Sequence, residues 1–228
     1  MTGYGKLDVV DYPDGPFRSQ RVINTLADHI QRRLRSGYER VTFICVSMSG
    51  LLAHDVLREL ILRRCTLKDP SLLLLDAPSG GVDLVDKRAH LARYIPQIWT
   101  PKPLNRRVLG SDTLPTHEKF TTEEQARIWR DHVEASHTFP PLYMIGGQTS
   151  YIVRHPGLQK AVLGGVHMAF VQSANDKIIE RNAPEHWMAV VGRDIPVLTV
   201  NTDFHADLLE HPTEWARGIR LGMDYVLS

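Results

Sequence analysis

Only two cysteines occur among the 228 residues, Cys45 inside a β-branched and aromatic run and Cys65 behind an amphipathic one. So sparse a supply excludes a disulfide framework, and both thiols read as small apolar side chains in a reducing compartment. No apolar run approaches the roughly 20 residues that a membrane-spanning helix needs. The opening stretch "MTGYGKLDVVDYPDG" lacks the basic and apolar blocks of a signal peptide. A soluble cytoplasmic chain without a membrane span is therefore expected. Charge of one sign is missing too, since 27 Lys and Arg stand against 26 Asp and Glu for a net charge of +1. Scattered charge of this kind gives no footprint for nucleic acid or an anionic membrane, which leaves small molecules as the expected partners. Self-association into a homodimer stays open.

What is present is an alternation of strand-like and helix-like segments in a chain long enough to bury a sizeable core. "KLDVVDY" (6–12) reads as a first strand, closed by the turn-forming "PDGP". Ser19 is placed to cap a helix that carries Val22, Ile23, Leu26, Ile30 and Leu34 on one face, with Gly37 at its end. "VTFICVS" (41–47) reads as a strand buried on both faces, 50–64 as an amphipathic helix and "SLLLLDA" (71–77) as the next strand. From about residue 81 the chain becomes charged, aromatic and proline-dotted, as in "RYIPQIWTPKPLNRR" and "TTEEQARIWRDHVEASHTFPP". The alternation resumes with "HMAFVQS" (167–173), a helix within about 178–192, "PVLTV" (196–200) and a last helix opened by Pro212 and running to about Val226. Strands separated by helices predict an α/β fold with a mostly parallel sheet and helices on both faces. The expected core is 1–80 with 159–228, and 81–158 is expected to be an inserted, largely helical cap.

In a parallel sheet the loops at the carboxyl ends of the strands meet at one crevice. Three residues stand at such ends: Ser47 in "CVSMSG", Asp176 in "QSANDKII" and His205 in "NTDFHADLL". A serine hydroxyl is a poor nucleophile at neutral pH and needs a base; an imidazole suits that task, and a carboxylate fixes its tautomer and stabilises the cation that forms. The passage from "VTFI" into "LLAHDVLREL" with no polar loop predicts a tight turn at Ser47. Such a turn aims the helix N-terminus and the Met48 amide at a developing oxyanion. It also crowds positions 45 and 49, where Cys45 and Ser49 are small. Ser49 is the rival nucleophile, disfavoured by its place inside the helix. Asp76 is the rival acid, and His211, beside Pro212, is the rival base or a helix cap.

"CVSMSG" resembles the G-x-S-x-G nucleophile elbow of the α/β-hydrolases, with Cys45 and Ser49 in place of the glycines, and "HADLLEHPTEW" resembles that family's ending. The resemblance implies an α/β-hydrolase-like fold shortened at the N-terminus, because the family's upstream strands have no counterpart here. It implies the roles of nucleophile for Ser47, base for His205 and orienting acid for Asp176. A second oxyanion amide is then sought in "YPDGPF", at Tyr12 or Asp14, on the expectation that strand 6–12 lies beside strand 41–47. The insertion would be a lid, with Tyr94, Ile95, Trp99, Phe120, Trp129, Phe139 and Tyr143 facing an acyl chain or forming the lid's own core. "GGQTSY" (146–151) would be a hinge or a plain loop. A fainter likeness, in Ser-x-Ser at the elbow and in the insertion, is to the bacterial acyl transferase that supplies fatty acid for luminescence. The expected activity is cleavage of a small-molecule carboxylic ester or thioester, with no metal or organic cofactor. An acyltransferase using the same residues and a catalytically inactive binding module are the alternatives.

Overall fold

The structure, a computed structural model, describes residues 5–9, 17–87, 142–202, 205, 208 and 211–228, and within these the side chains of 142–146 are left aside. Four strands, β1 (Thr42–Val46), β2 (Ser71–Leu75), β3 (His167–Ser173) and β4 (Val197–Val200), form one sheet in chain order. Every pairing is parallel, with Val46 beside Leu75, Leu75 beside Val171 and Ser173 beside Val200. The carboxyl ends of all four strands therefore share one rim.

Helix α1 (Ser19–Arg35) packs on α2 (Ser49–Leu62), and α2 packs on β1 and β2. The expected face of α1 is the observed one: Val22, Ile23 and Ile30 are buried against Met48, Leu51 and Leu52, with Leu26 and Leu34 at the margin. Ser19 is the first helical residue and not the cap, which is Arg18. Beyond the undescribed segment come α3 (Leu142–Arg154), the single turn α4 (Lys160–Leu163), α5 (Ala183–Val191) and α6 (Pro212–Leu227). The layers follow the period of two along a strand. Leu72 and Leu74 meet Leu57, Trp187 and Leu163 on one face. Leu73 and Leu75 meet Trp215, Met223 and Val226 of α6 on the other. Gly218 and Gly222, one turn apart, let α6 sit down on the sheet: a Cβ at Gly222 would stand 2.4 Å from Leu73 Cδ1.

Three expectations are corrected. Residues 6–9 are not a strand and do not join the sheet, so among the described residues β1 has β2 as its only neighbour. Leu7 and Val9 are 74% and 81% exposed, and Asp8 is drawn instead onto α1, where the Arg33 guanidinium binds its two oxygens at 2.7 and 2.8 Å. Charge pairing captured a segment whose apolar alternation suggested a sheet. Secondly, β1 is not buried on both faces. Phe43 and Cys45 face α2, whereas Ile44 and Val46 lie on the side that α6 covers only over β2, β3 and β4, and they are 41% and 38% exposed. Thirdly, "GGQTSY" is neither hinge nor loop but part of α3. Gly147 is there for contact: a Cβ would come to 3.0 Å from the Cβ of Phe17. The proposed lid residues Tyr94, Ile95, Trp99, Phe120, Trp129 and Phe139, the Tyr143 side chain, and Tyr12 with Asp14 lie outside what is described.

Candidate active site at the carboxyl rim of the sheet

β1 ends at Val46, and Ser47 takes the left-handed conformation, φ +53°, while its N–H still donates to Leu75 O at 2.8 Å. A non-glycine residue in that region is strained by about 1–3 kcal/mol, which the surroundings must impose. Met48 is already helical at φ −51° and ψ −26°, and Ser47 O and Met48 O accept the N–H groups of Gly50 and Leu51. The chain thus passes from strand to helix through one residue, as the sequence predicts. The crowding is visible on both sides: Cys45 is buried, and a Cβ on Gly50 would stand 2.9 Å from that of Ala77. Burial pushes the Cys45 thiol up to about 12, so it packs as an inert group. Among the described residues no acceptor takes the Met48 N–H. Ser49 Oγ, by contrast, donates to Val46 O at 2.7 Å and is spent on the turn itself.

Asp176 and His205 meet. His205 Nδ1 and Asp176 Oδ2 are 2.7 Å apart, with the two side chains 14% and 3% exposed. An ionised carboxylate only accepts, so in the neutral imidazole the proton lies on Nδ1 and Nε2 keeps a lone pair. Asp176 is also held from behind, since its Oδ1 accepts from Ile178 N at 2.7 Å and Ile179 N at 3.0 Å. The Asx turn and the carboxylate that meets His205 belong to one residue. An antiparallel bridge between Leu84 and Ile179, with Val85 N donating to Ile178 O, fixes this turn against the loop after β2. No hydrogen bond joins Ser47 Oγ to His205 in the described residues. Ser47 follows Val46, whose partner Leu75 is followed by Asp76, and the Asp76 carboxylate lies within 4.8 Å of atoms of both Asp176 and His205. Ser47, Asp76, Asp176 and His205 all follow strands whose carboxyl ends share one rim. His211 sits at the N-cap of α6, but its ring makes no capping bond.

Of several further buried polar groups, sequence reasoning named Asp76 alone, as the rival acid. Asp76, 1% exposed and at φ +44°, accepts from Ser173 N at 2.7 Å and Ser173 Oγ at 2.6 Å. In the Asp76, Asp176 and His205 group both oxygens of each carboxylate accept hydrogen bonds. Asp83, fully buried, accepts from Ser79 N at 2.5 Å and pairs with His186 Nδ1 of α5. Thr202 Oγ1, just past β4, is buried with no hydrogen-bond partner among the described residues.

A larger cluster lies away from the rim. Asp55 of α2 accepts from Tyr151 at 2.7 Å and contacts His54 Nδ1 at 3.1 Å and His155 Nε2 at 3.3 Å. Burial alone would raise its carboxyl, but the bonds from His155, His54 and Tyr151 outweigh burial and hold it well below the usual carboxylate range. The ligand-type atoms of His54, Asp55 and His155 lie within 4.8 Å of one another. A metal does not fit them. Gln159 N donates to His54 Nε2 at 3.0 Å and Gly157 N donates to His155 Nδ1 at 3.2 Å, so the outer nitrogens are acceptors. The protons therefore sit on the inner nitrogens, where a metal would need lone pairs. The cluster is a clamp joining α2 to α3 and the loop that follows. A signal existed in the sequence: His54 and Asp55 are a polar pair inside the apolar helix "LLAHDVLREL".

No family model matches the sequence, and no curated protein matches it. Solved structures do. The type II thioesterase BorB from the borrelidin biosynthetic cluster is similar at 16% identity and a TM-score of 0.55, over 91% of this chain and 73% of that one. A carboxylesterase of the thaumarchaeon Nitrososphaera gargenis is similar at 15% identity and a TM-score of 0.55, over 90% and 72%. The meta-cleavage product hydrolase CumD of Pseudomonas fluorescens IP01 is similar at 13% identity and a TM-score of 0.52, over 94% and 75%. The chain has the α/β-hydrolase fold.

Proposed function

We propose that the protein is a serine hydrolase cleaving a small carboxylic ester or thioester, with Ser47 as nucleophile, His205 as base and then acid, and Asp176 as the orienting carboxylate. The observation that carries this reading is the 2.7 Å contact of His205 Nδ1 with Asp176 Oδ2 on the rim where Ser47 occupies a left-handed strand-to-helix turn. His205 Nε2 takes the proton as Ser47 Oγ attacks the acyl carbon. The carbonyl oxygen becomes an oxyanion facing the Met48 N–H and the N-terminus of α2; one such donor is worth about 2.7–4 kcal/mol. Collapse of the adduct breaks the bond to the alcohol or thiol, which leaves with the proton from His205. Water, deprotonated by the same nitrogen, then releases the acid from the acyl-enzyme.

The fold is shared with a thioesterase and a carboxylesterase, which supports acyl chemistry. The expected result with p-nitrophenyl acyl esters and acyl thioesters is a burst of about one leaving group per chain, followed by steady turnover to free acid. Product analysis with added alcohols and thiols fixes the acceptor: acyl transfer outpacing hydrolysis would make the protein an acyltransferase. Absence of both burst and turnover across such a panel overturns the reading.

A further inference from the structure

The mechanism above uses one carboxylate, yet the rim holds two. Asp76 follows β2 in the strained left-handed region at φ +44°, next to the equally strained Ser47 at φ +53°. One of its oxygens lies within 4.8 Å of an oxygen of Asp176 and of a ring nitrogen of His205. Ser173 holds it there, through its N–H at 2.7 Å on Oδ1 and its Oγ at 2.6 Å on Oδ2. Those two bonds differ in kind. The N–H belongs to the last residue of β3 and is fixed, whereas the hydroxyl turns about Cβ–Oγ and can release Oδ2 without moving the backbone.

We infer that Asp76 is a standby positioning carboxylate for His205, able to accept the Nδ1 proton when Asp176 cannot. This rests on the reading of Ser47, His205 and Asp176 given above. One ring nitrogen of His205 and one oxygen of Asp76 lie no more than 4.8 Å apart, so an approach of at most about 2 Å brings that pair to an ordinary hydrogen-bond distance of roughly 2.8 Å. One charge-assisted bond is exchanged for another: Oδ2 loses the Ser173 hydroxyl and gains the imidazole N–H, while Oδ1 keeps the Ser173 amide. The tautomer that leaves Nε2 basic is preserved throughout. Asp76 touches no reacting atom; it acts through the imidazole.

The test is a double-mutant cycle on ester turnover. Asp176→Asn alone is expected to lower kcat by about 10²-fold or less, the scale of a re-aimed group. The variant carrying both Asp76→Asn and Asp176→Asn is expected to fall by about 10⁴-fold, the scale of a lost orienting acid. KM stays within about twofold in both, since binding contacts are untouched. Should Asp76→Asn fail to fold, Ser173→Ala gives the decisive arm. It keeps the carboxylate and removes the Ser173 hydroxyl from Oδ2, so adding Ser173→Ala to Asp176→Asn is expected to raise kcat several-fold. A merely structural Asp76 predicts a fall. Asp176→Asn as inactive as the double variant, or a Ser173→Ala arm that lowers activity, overturns the inference. Ser47→Ala and His205→Ala distinguish the two failures: if they retain full turnover, the underlying assignment falls instead.

Discussion

Replacing Ser47 by alanine is expected to lower ester turnover by roughly 10⁴-fold or more, with the folded protein intact. The hydroxyl makes no hydrogen bond within the described residues, so its removal costs no structural contact among them. Alanine is also no better suited than serine to φ +53°, so stability should hold within about 0.5 kcal/mol. Glycine separates the two demands at that position. Ser47→Gly is expected to be equally inactive but about 1 kcal/mol more stable, because glycine adopts the left-handed region without strain. Ser49→Ala is the control. Its hydroxyl serves the carbonyl of Val46 at 2.7 Å, so the substitution should cost about 1 kcal/mol of stability and leave the chemistry in place. Steady-state rates beside urea unfolding curves check all three.

Removing the Asp55 carboxylate should produce the largest loss of stability. Asp55→Ala strands the inner N–H groups of His54 and His155 and the Tyr151 hydroxyl, in a cluster where both histidine side chains are fully buried. Breaking a buried charged network by deleting its acceptor costs about 3–5 kcal/mol, a drop in melting temperature on the order of 10 °C for a chain of this length. Tyr151→Phe, which deletes one donor, should cost about 1–2 kcal/mol. The pH dependence has a definite sign. The folded carboxyl is held below its unfolded value near 3.9. The clamp's stabilisation is therefore complete above about pH 4 and is lost as pH falls through the lower folded value. Asp55→Asn should lack that part of the acid limb in a series of unfolding curves between neutral pH and pH 2. An acid limb identical to that of the parent protein would show that the clamp carries no linkage.

How much of this the sequence discloses depends on how local each interaction is. The strand "TFICV" running into "SGLLAHDVLREL" is legible because both periodicities are written in adjacent residues, and the tight turn at Ser47 follows from the missing loop. Asp176 and His205 are legible as residue types at strand ends, and the sheet order places those ends on one rim. The partners of Asp76 are not legible: Ser173 lies 97 positions away and supplies a backbone amide, which every residue type has. The same holds for Gln159 and Gly157, whose N–H groups decide the tautomers in the clamp. Residues 6–9 mislead because alternating Leu7 and Val9 mimic a strand, while the decisive contact is the ionic one between Asp8 and Arg33. Glycines 146 and 147 mislead in the other direction. Their sequence suggests freedom, but Gly147 is small because Phe17 leaves no room for a side chain.

A fluorophosphonate probe tests the central claim most directly, because it reacts with a serine only where a base activates the hydroxyl. Peptide mapping of the labelled protein is expected to find one adduct per chain, on Ser47, lost in Ser47→Ala and strongly suppressed in His205→Ala. Folded protein that takes up no label, or takes it up on Ser49 or Ser173, would contradict the account.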